Sequence, residues 1–420
     1  MRIVLGGLTA LWLMPLAAAA DLTGGGSLRW VAAADSLPAD RARADIRLDG
    51  TNDTLAINAA VAELAAGRGG KLVFFPGRYV IDCWTEVGGR RYGIVVPHVR
   101  GEVTFEGIGY THKAANDSLA LDGCGVVFAL ADSLYAEMAV DGRYALLGAA
   151  PPCEYSRGFF RVKDISFWVP GNEKALVALD GMFASESSIE GVQVASGAPF
   201  DDDSKVNPRC IAIRTSGAGN NGRRFNLDFC KVQGMGTAFH IEGEHLLVRQ
   251  CAAQRCAYGY VFGDVDFLEH YPRWSGNHPI TMVNCCFEYV WYGITLGGRQ
   301  WGGDEYVNTL DIIDLNAEES EGMERYRAWK LRRPIQDLGD GYYRGEITYF
   351  FTAKGRDHVP SEFGLWGDRL AEGRYFRTIN LAARRRGPTA ERPRNVDLGF
   401  EYFDTDLGRM VYRLEGGWSE

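Results

Sequence analysis

The chain has 420 residues, 46% of them hydrophobic and 24% charged, with a formal net charge of −9. That length and hydrophobic share allow a large core, as one elongated domain or two compact ones. The acidic balance argues against general nucleic-acid binding, which needs a basic surface, and requires that any acidic partner be met by a local basic patch.

The first segment has Arg2 at its start, an apolar run from Ile3 to Leu16, and small residues from Ala17 to Ala20. This is the pattern of a secretory signal peptide spanning residues 1–20, cleaved before Asp21. The apolar run is too short for a full span, so the mature chain is expected to be secreted or periplasmic, with no membrane span. Residues 21–45 read as an N-terminal linker.

From Asp49 to Tyr79 the order is turn, capped helix, glycine stop, buried strand and tight turn. Asn52 or Asp53 is placed to cap the helix. Leu55, Ile57, Val61 and Leu64 give the helix an apolar side, Gly67, Gly69 and Gly70 end it, and Leu72 to Phe75 form a short strand. This run resembles the entry segment of the pectate-lyase-like superfamily, in the form of its rhamnogalacturonase/epimerase-like pectate lyase domains. The resemblance implies an all-β fold, a right-handed parallel β-helix with an N-terminal capping α-helix. It also implies a polysaccharide partner.

A degenerate module then recurs from residue 103 to residue 317: an apolar-x-apolar pair, two turn residues, and a second such pair. Examples are Phe160/Val162 to Ile165/Phe167, Leu246/Val248 to Cys251/Ala253, and Ile280/Met282 to Cys285/Phe287. The first copy runs from Val103/Phe105 to Ile108/Tyr110. A third pair, at Phe239/Ile241, Tyr260/Phe262 and Ile294/Leu296, begins nine residues after Cys230, Cys251 and Cys285. Three short strands per unit, none able to bury its own face, describe stacked coils. The three aligned cysteines, of nine in the chain, should form an inward ladder of small buried side chains rather than a metal site. The β-helix is expected over 46–330, with a heavily inserted coil between Ile108 and Ile165 and a β extension over 331–386.

Residues 387–420 contain Gly399-Phe400-Glu401-Tyr402-Phe403-Asp404-Thr405-Asp406 and Gly416-Gly417-Trp418. They resemble the short C-terminal β-motif of phage tail-fibre ends, although Met410-Val411-Tyr412-Arg413 stands where that motif has tryptophans and lysine. In tail proteins the motif accompanies trimers, so the resemblance allows a homotrimer.

The outer face of the third strand is the expected groove. It would present His240, Val261 and Thr295 on successive coils, with Glu242 and Asp264 just beyond. The loop 264–279 adds Glu269, His270, Tyr271, Arg273 and Trp274, and the loop 297–309 adds Trp301. Rings stack on sugar faces, while carboxylates, His and Arg handle hydroxyls, protons and uronate charge. On this reading Asp264 and His270 are catalytic candidates, and His240, Tyr271, Arg273, Trp274 and Trp301 bind substrate. A second row places Gln233, Gln254, Glu288 and Glu318 in register. Adjacent glutamates there would suit paired acid and base work, so Glu288 and Glu318 are catalytic candidates too.

Polygalacturonase-like motifs are missing. The acidic run Asp201-Asp202-Asp203 is not followed by Gly-His-Gly, and Arg161-Val162-Lys163 precedes it. That run leaves calcium open without the spacing of a known loop, and no other cofactor is expected. The expected function is polysaccharide cleavage, by hydrolysis or β-elimination. The alternative is a non-catalytic carbohydrate-binding or tail-fibre-like protein.

Overall fold

The computed structural model describes residues 27–97, 101–109, 121, 125–151, 159–184, 186–198, 205–215, 225–243, 245–263, 267–269, 277–290, 292–296, 308–313, 316–318, 327–331, 337–339, 342–343, 346–350, 376–379, 386–392, 401–414 and 417–419. Among the described residues the strands stack in three main sheets of 12, eight and nine strands, parallel throughout except that Thr85–Val87 pairs antiparallel with Arg90–Val96. The protein is a parallel β-helix.

Period-two alternation builds each coil. In the first sheet, Phe74, Phe105, Val162, Ile189, Leu227 and Val248 point inward and are buried. Their neighbours point outward, where Lys71 meets Glu106 at 2.6 Å and Lys163 meets Glu190 at 3.1 Å. The register follows the repeat. Phe239 pairs with Tyr260 and then Ile294, and Ile241 with Phe262 and then Leu296. Phe239 and Tyr260 stack with centroids 4.9 Å apart. Cys230, Cys251 and Cys285 are buried in the core, and each thiol reaches the carbonyl two residues earlier, at 3.5, 3.4 and 3.6 Å. Burial pushes the Cys251 thiol well above its ordinary range.

The corners explain why the units need so few residues. Asp164, Phe229, Gln250 and Asn284 are left-handed at the first corner, as is Gly191 in the same place. Each of Asp164, Gly191, Phe229 and Gln250 donates its backbone N–H to the coil above, as in Asp164 N to Glu190 O at 2.9 Å. That bond offsets a left-handed cost of about 1–2 kcal/mol for a non-glycine residue.

The helix Asp53–Ala66 covers the N-terminal end of the core with Ile57, Ala60, Val61 and Leu64. Neither expected cap residue caps it. Asn52 is left-handed and makes no side-chain cap bond. The Asp53 carboxylate instead accepts from Gly50 N at 3.0 Å and Val80 N at 3.3 Å, tying the entry turn to the first coil. Leu55 is exposed rather than packed. Gly69 has φ +90°, and a Cβ there would lie 2.4 Å from the Glu102 carbonyl oxygen.

Two further features differ from the sequence reading. Residues expected to be linker include the strand Ser27–Ala32, which pairs with Gly70–Phe74 and extends the first sheet. Ile108 does not open a second strand and is exposed, and Tyr110 lies outside the described residues. The second strand of that coil is Val126–Leu130, followed by the helix Asp132–Glu137 and the third strand Tyr144–Ala149. The 57-residue gap is therefore one coil with insertions at its corners. Beyond 331, Glu346–Phe350 and Phe376–Ile379 continue the first sheet, and Glu401–Asp404 pairs antiparallel with Arg409–Leu414.

Candidate functional site

The outer face of the third sheet carries two rows. Tyr92, Ala145, Val177 and Ile211 form an apolar floor together with Val261 and Leu268. Beside it, Asp180, Arg214 and His240 occupy the same position on successive strands. Asp180 ends the strand Leu176–Asp180 and Arg214 ends Cys210–Arg214, so both side chains project outward from rigid backbone.

These groups form a buried ion-pair cluster. Arg214 donates from Nε to Asp180 Oδ1 at 2.9 Å and from Nη2 to Oδ2 at 2.6 Å. Arg90 lies 3.9 Å from Asp180 and 2.5 Å from Glu269. Glu269 also meets Arg143 at 3.5 Å and Arg214 at 3.7 Å. Burial pushes the Asp180 carboxyl up, but the charge and hydrogen bonds of Arg214, with Arg90 behind, hold it below the usual carboxylate range. Burial likewise opposes the charge on Arg214, and Asp180 overrides it.

A pocket of about 270 Å³ opens over this cluster, walled by Arg90, Arg143, Tyr144, Arg209, Arg214 and Glu269. Asp141 also faces it and meets Arg209 at 3.5 Å. Arg209 Nε donates to the Phe267 carbonyl at 3.3 Å, holding the described part of the 264–279 loop against the sheet. The Tyr144 ring lies 5.1 Å from Trp84, and Arg91 sits over it at 5.7 Å. Forked guanidiniums, carboxylates and an apolar floor can bind hydroxyls and anions together.

The pocket is on the face where the groove is expected, but on more N-terminal coils than His240, Val261 and Thr295. His240, Glu242 and Thr295 are fully buried, so His240 is not an open substrate contact. Its Nε2 lies 3.2 Å from the Gly263 carbonyl oxygen and 3.6 Å from Glu242 Oε1. Leu268 packs in the same apolar cluster as Val261. Asp264, His270, Tyr271, Arg273, Trp274 and Trp301 lie outside the described residues, as do 1–20 and the 201–203 run. Among the described residues no cluster of His, Cys, Asp and Glu is arranged to hold a metal ion. No described helix is long and apolar enough to cross a membrane.

The second row is elsewhere. Gln233, Gln254, Glu288 and Glu318 pair in register on the second sheet. Gln254 Nε2 donates to Glu288 Oε2 at 2.6 Å. The side chain of Glu318 is not described, and Glu288 does not line the pocket. The sequence reading missed Arg90, Arg143, Asp180, Arg209 and Arg214. A usable signal existed: Leu176-Val177-Ala178-Leu179-Asp180 and Cys210-Ile211-Ala212-Ile213-Arg214 are the same pattern with opposite charges at the end.

No family model matches the chain, and no curated protein sequence matches it. Solved structures similar to it include Escherichia coli ybhc, 12% identical over 82% of this chain and 77% of that one, with a TM-score of 0.36. Another is tailspike protein 3 of bacteriophage CBA120, 10% identical over 87% of this chain and 66% of that one, with a TM-score of 0.20. At these values neither likeness bears on the chemistry of the pocket.

Proposed function

We propose that this is an exported carbohydrate-active protein that holds a polysaccharide against the outer face of its third sheet. The observation behind the reading is the pocket, where guanidiniums and carboxylates converge over an apolar floor that includes Val177, Ile211 and Leu268. Sugars offer apolar ring faces and dense hydroxyls, and such a site meets both. The face repeats every ~4.8 Å along the stack, which suits a linear polymer. The leader-like residues 1–20 support export.

Cleavage is the active form of this reading, and the pocket favours β-elimination. Arginines beside an ionised Asp180 are suited to neutralising a uronate carboxylate and not to protonating a leaving group. Hydrolysis at Glu288 and Glu318 is the second reading, favoured by their in-register pairing, since carboxyl groups about 5 Å apart suit a retaining mechanism.

The test incubates residues 21–420 with plant, algal and bacterial polysaccharides. Ultraviolet absorbance reports unsaturated uronates, and a second assay reports reducing ends. Both signals together identify a lyase. Reducing ends alone, lost in Glu288→Gln, identify the hydrolase. Retention without product leaves a binding protein, whose trimeric state sedimentation would read. No product and no retention on any polysaccharide would sink the proposal.

A further inference from the structure

We infer that the pocket is a subsite for an anionic group of the ligand, a carboxylate or a sulfate, and that Glu269 occupies it when the ligand is absent. The inference rests on the polysaccharide reading for the polymer that carries the anion, and on the pocket alone for the charge. Arg90 and Arg214 are two guanidiniums with side chains only 8% and 2% exposed, and Asp180 beside them is 1% exposed. A buried charge without a counter-ion is strongly disfavoured. Asp180 offsets one of the two positive charges, and the second needs another anion.

Glu269 supplies it. Its side chain is 34% exposed, and its Oε1 lies 2.5 Å from Arg90 and 3.5 Å from Arg143, with Oε2 3.7 Å from Arg214. Three guanidiniums within 4 Å of one carboxylate concentrate the positive charge and N–H donors by which proteins recognise carboxylates and oxyanions. The other nearby acids among the described residues are otherwise engaged. Asp141, 76% exposed, meets Arg209, and Glu242 is fully buried beside His240. Glu269 is thus the carboxylate that both faces the open pocket and holds the cluster, the place a ligand anion would take.

The experiment is titration calorimetry of residues 21–420 with polygalacturonate, dextran sulfate and neutral dextran. Wild type is compared with Glu269→Gln and Arg143→Gln. Removing the competing charge should tighten polyanion binding by about tenfold, and removing Arg143 should weaken it by about tenfold, with neutral dextran unaffected. Binding of polygalacturonate alone assigns a carboxylate, and binding of both polyanions assigns the broader oxyanion class. A folded Glu269→Gln that binds polyanions no better than wild type overturns the inference. Should that variant not fold, unchanged polyanion affinity in Arg143→Gln overturns it instead. Binding of neutral dextran only removes the anion subsite and leaves the polysaccharide reading standing. If no polymer binds, but sodium sulfate raises the melting midpoint of Glu269→Gln more than that of wild type, the subsite stands and the polysaccharide reading falls.

Discussion

Asp180 and Arg214 exchange two charge-assisted hydrogen bonds with their side chains 1% and 2% exposed. Asp180→Asn leaves Arg214 and Arg90 under-compensated in a buried place and should cost about 3–5 kcal/mol in chemical denaturation. A double variant, Asp180→Leu with Arg214→Met, removes the charges together and should be less destabilised than either single change. A double variant as weak as the sum of the singles would show that the pair is not a unit. Acid acts on the same bond. The folded pKa of Asp180 lies below an unfolded value of about 3.9, so its contribution is complete above that pH and is lost as pH falls through the folded value. Asp404 allows a numbered window. Burial pushes its carboxyl up, but Thr389, the Leu407 and Asp406 N–H groups and Arg392 outweigh that and pull it down to about 2. The near-ultraviolet signal of Trp418, whose strand Gly417–Trp418 pairs with Arg409–Leu414 and whose ring lies 5.8 Å from Tyr402, should fade between pH ~4 and about 2. A flat signal across that window would remove Asp404 as the acid-sensitive group. None of this pairing was legible locally, because Asp180 and Arg214 are 34 residues apart and only the shared strand pattern hints that they meet.

At the scale of elements, legibility followed coil length. Where coils are tight, the spacing of Cys230, Cys251 and Cys285 to the third strand gave the register that the strands adopt. Period-two burial leaves little choice there, since slipping one residue would turn the core face to water. The coil from Glu102 to Ala149 escaped because insertions separate its strands, and Ile108 mimics a strand start without being buried. The candidate groove was legible as a face but not as a place. The sequence marks an outward face on the third strand, yet it does not say that His240 and Val261 are fully buried while the pocket beside Arg90 stays open. Tyr260 tests the tight-coil account. Its ring stacks on Phe239, and its hydroxyl lies 2.7 Å from the Cys251 carbonyl oxygen and 2.9 Å from that of Cys286. Tyr260→Phe keeps the stack and removes a donor from two carbonyls, of which Cys251 O keeps the Cys286 N–H at 2.9 Å, so it should cost about 0.5–1.5 kcal/mol. Thermal unfolding unchanged from wild type would mean that the hydroxyl adds nothing to the ladder bonds.

The whole molecule faces a problem that a closed domain avoids, because a stack of coils ends in exposed apolar side chains and unpaired strand edges. At the N-terminal end the chain answers with two layers. The strand Ser27–Ala32 takes the edge of Gly70–Phe74, and the two-residue strand Ile46–Arg47 lies beyond it as a short, blunt edge. Arg29 meets Glu63 at 2.5 Å, linking that strand to the helix across the end. The helix Asp53–Ala66 then lays Ile57, Val61 and Leu64 on the open core. Val61 is fully buried and Leu55, on the same helix, is 53% exposed, so the two positions separate capping from helix propensity. Val61→Asp forces an uncompensated carboxylate into the end of the core or lifts the helix from it. The loss should exceed about 3 kcal/mol, and the uncovered strand edges should pair between molecules. Light scattering at neutral pH should therefore show aggregates of Val61→Asp, while Leu55→Asp stays dispersed with a wild-type melting midpoint. Equal behaviour of the two variants would mean that the helix rests on the β-helix without sealing it, and that the solubility of this acidic chain comes from its charge of −9 alone.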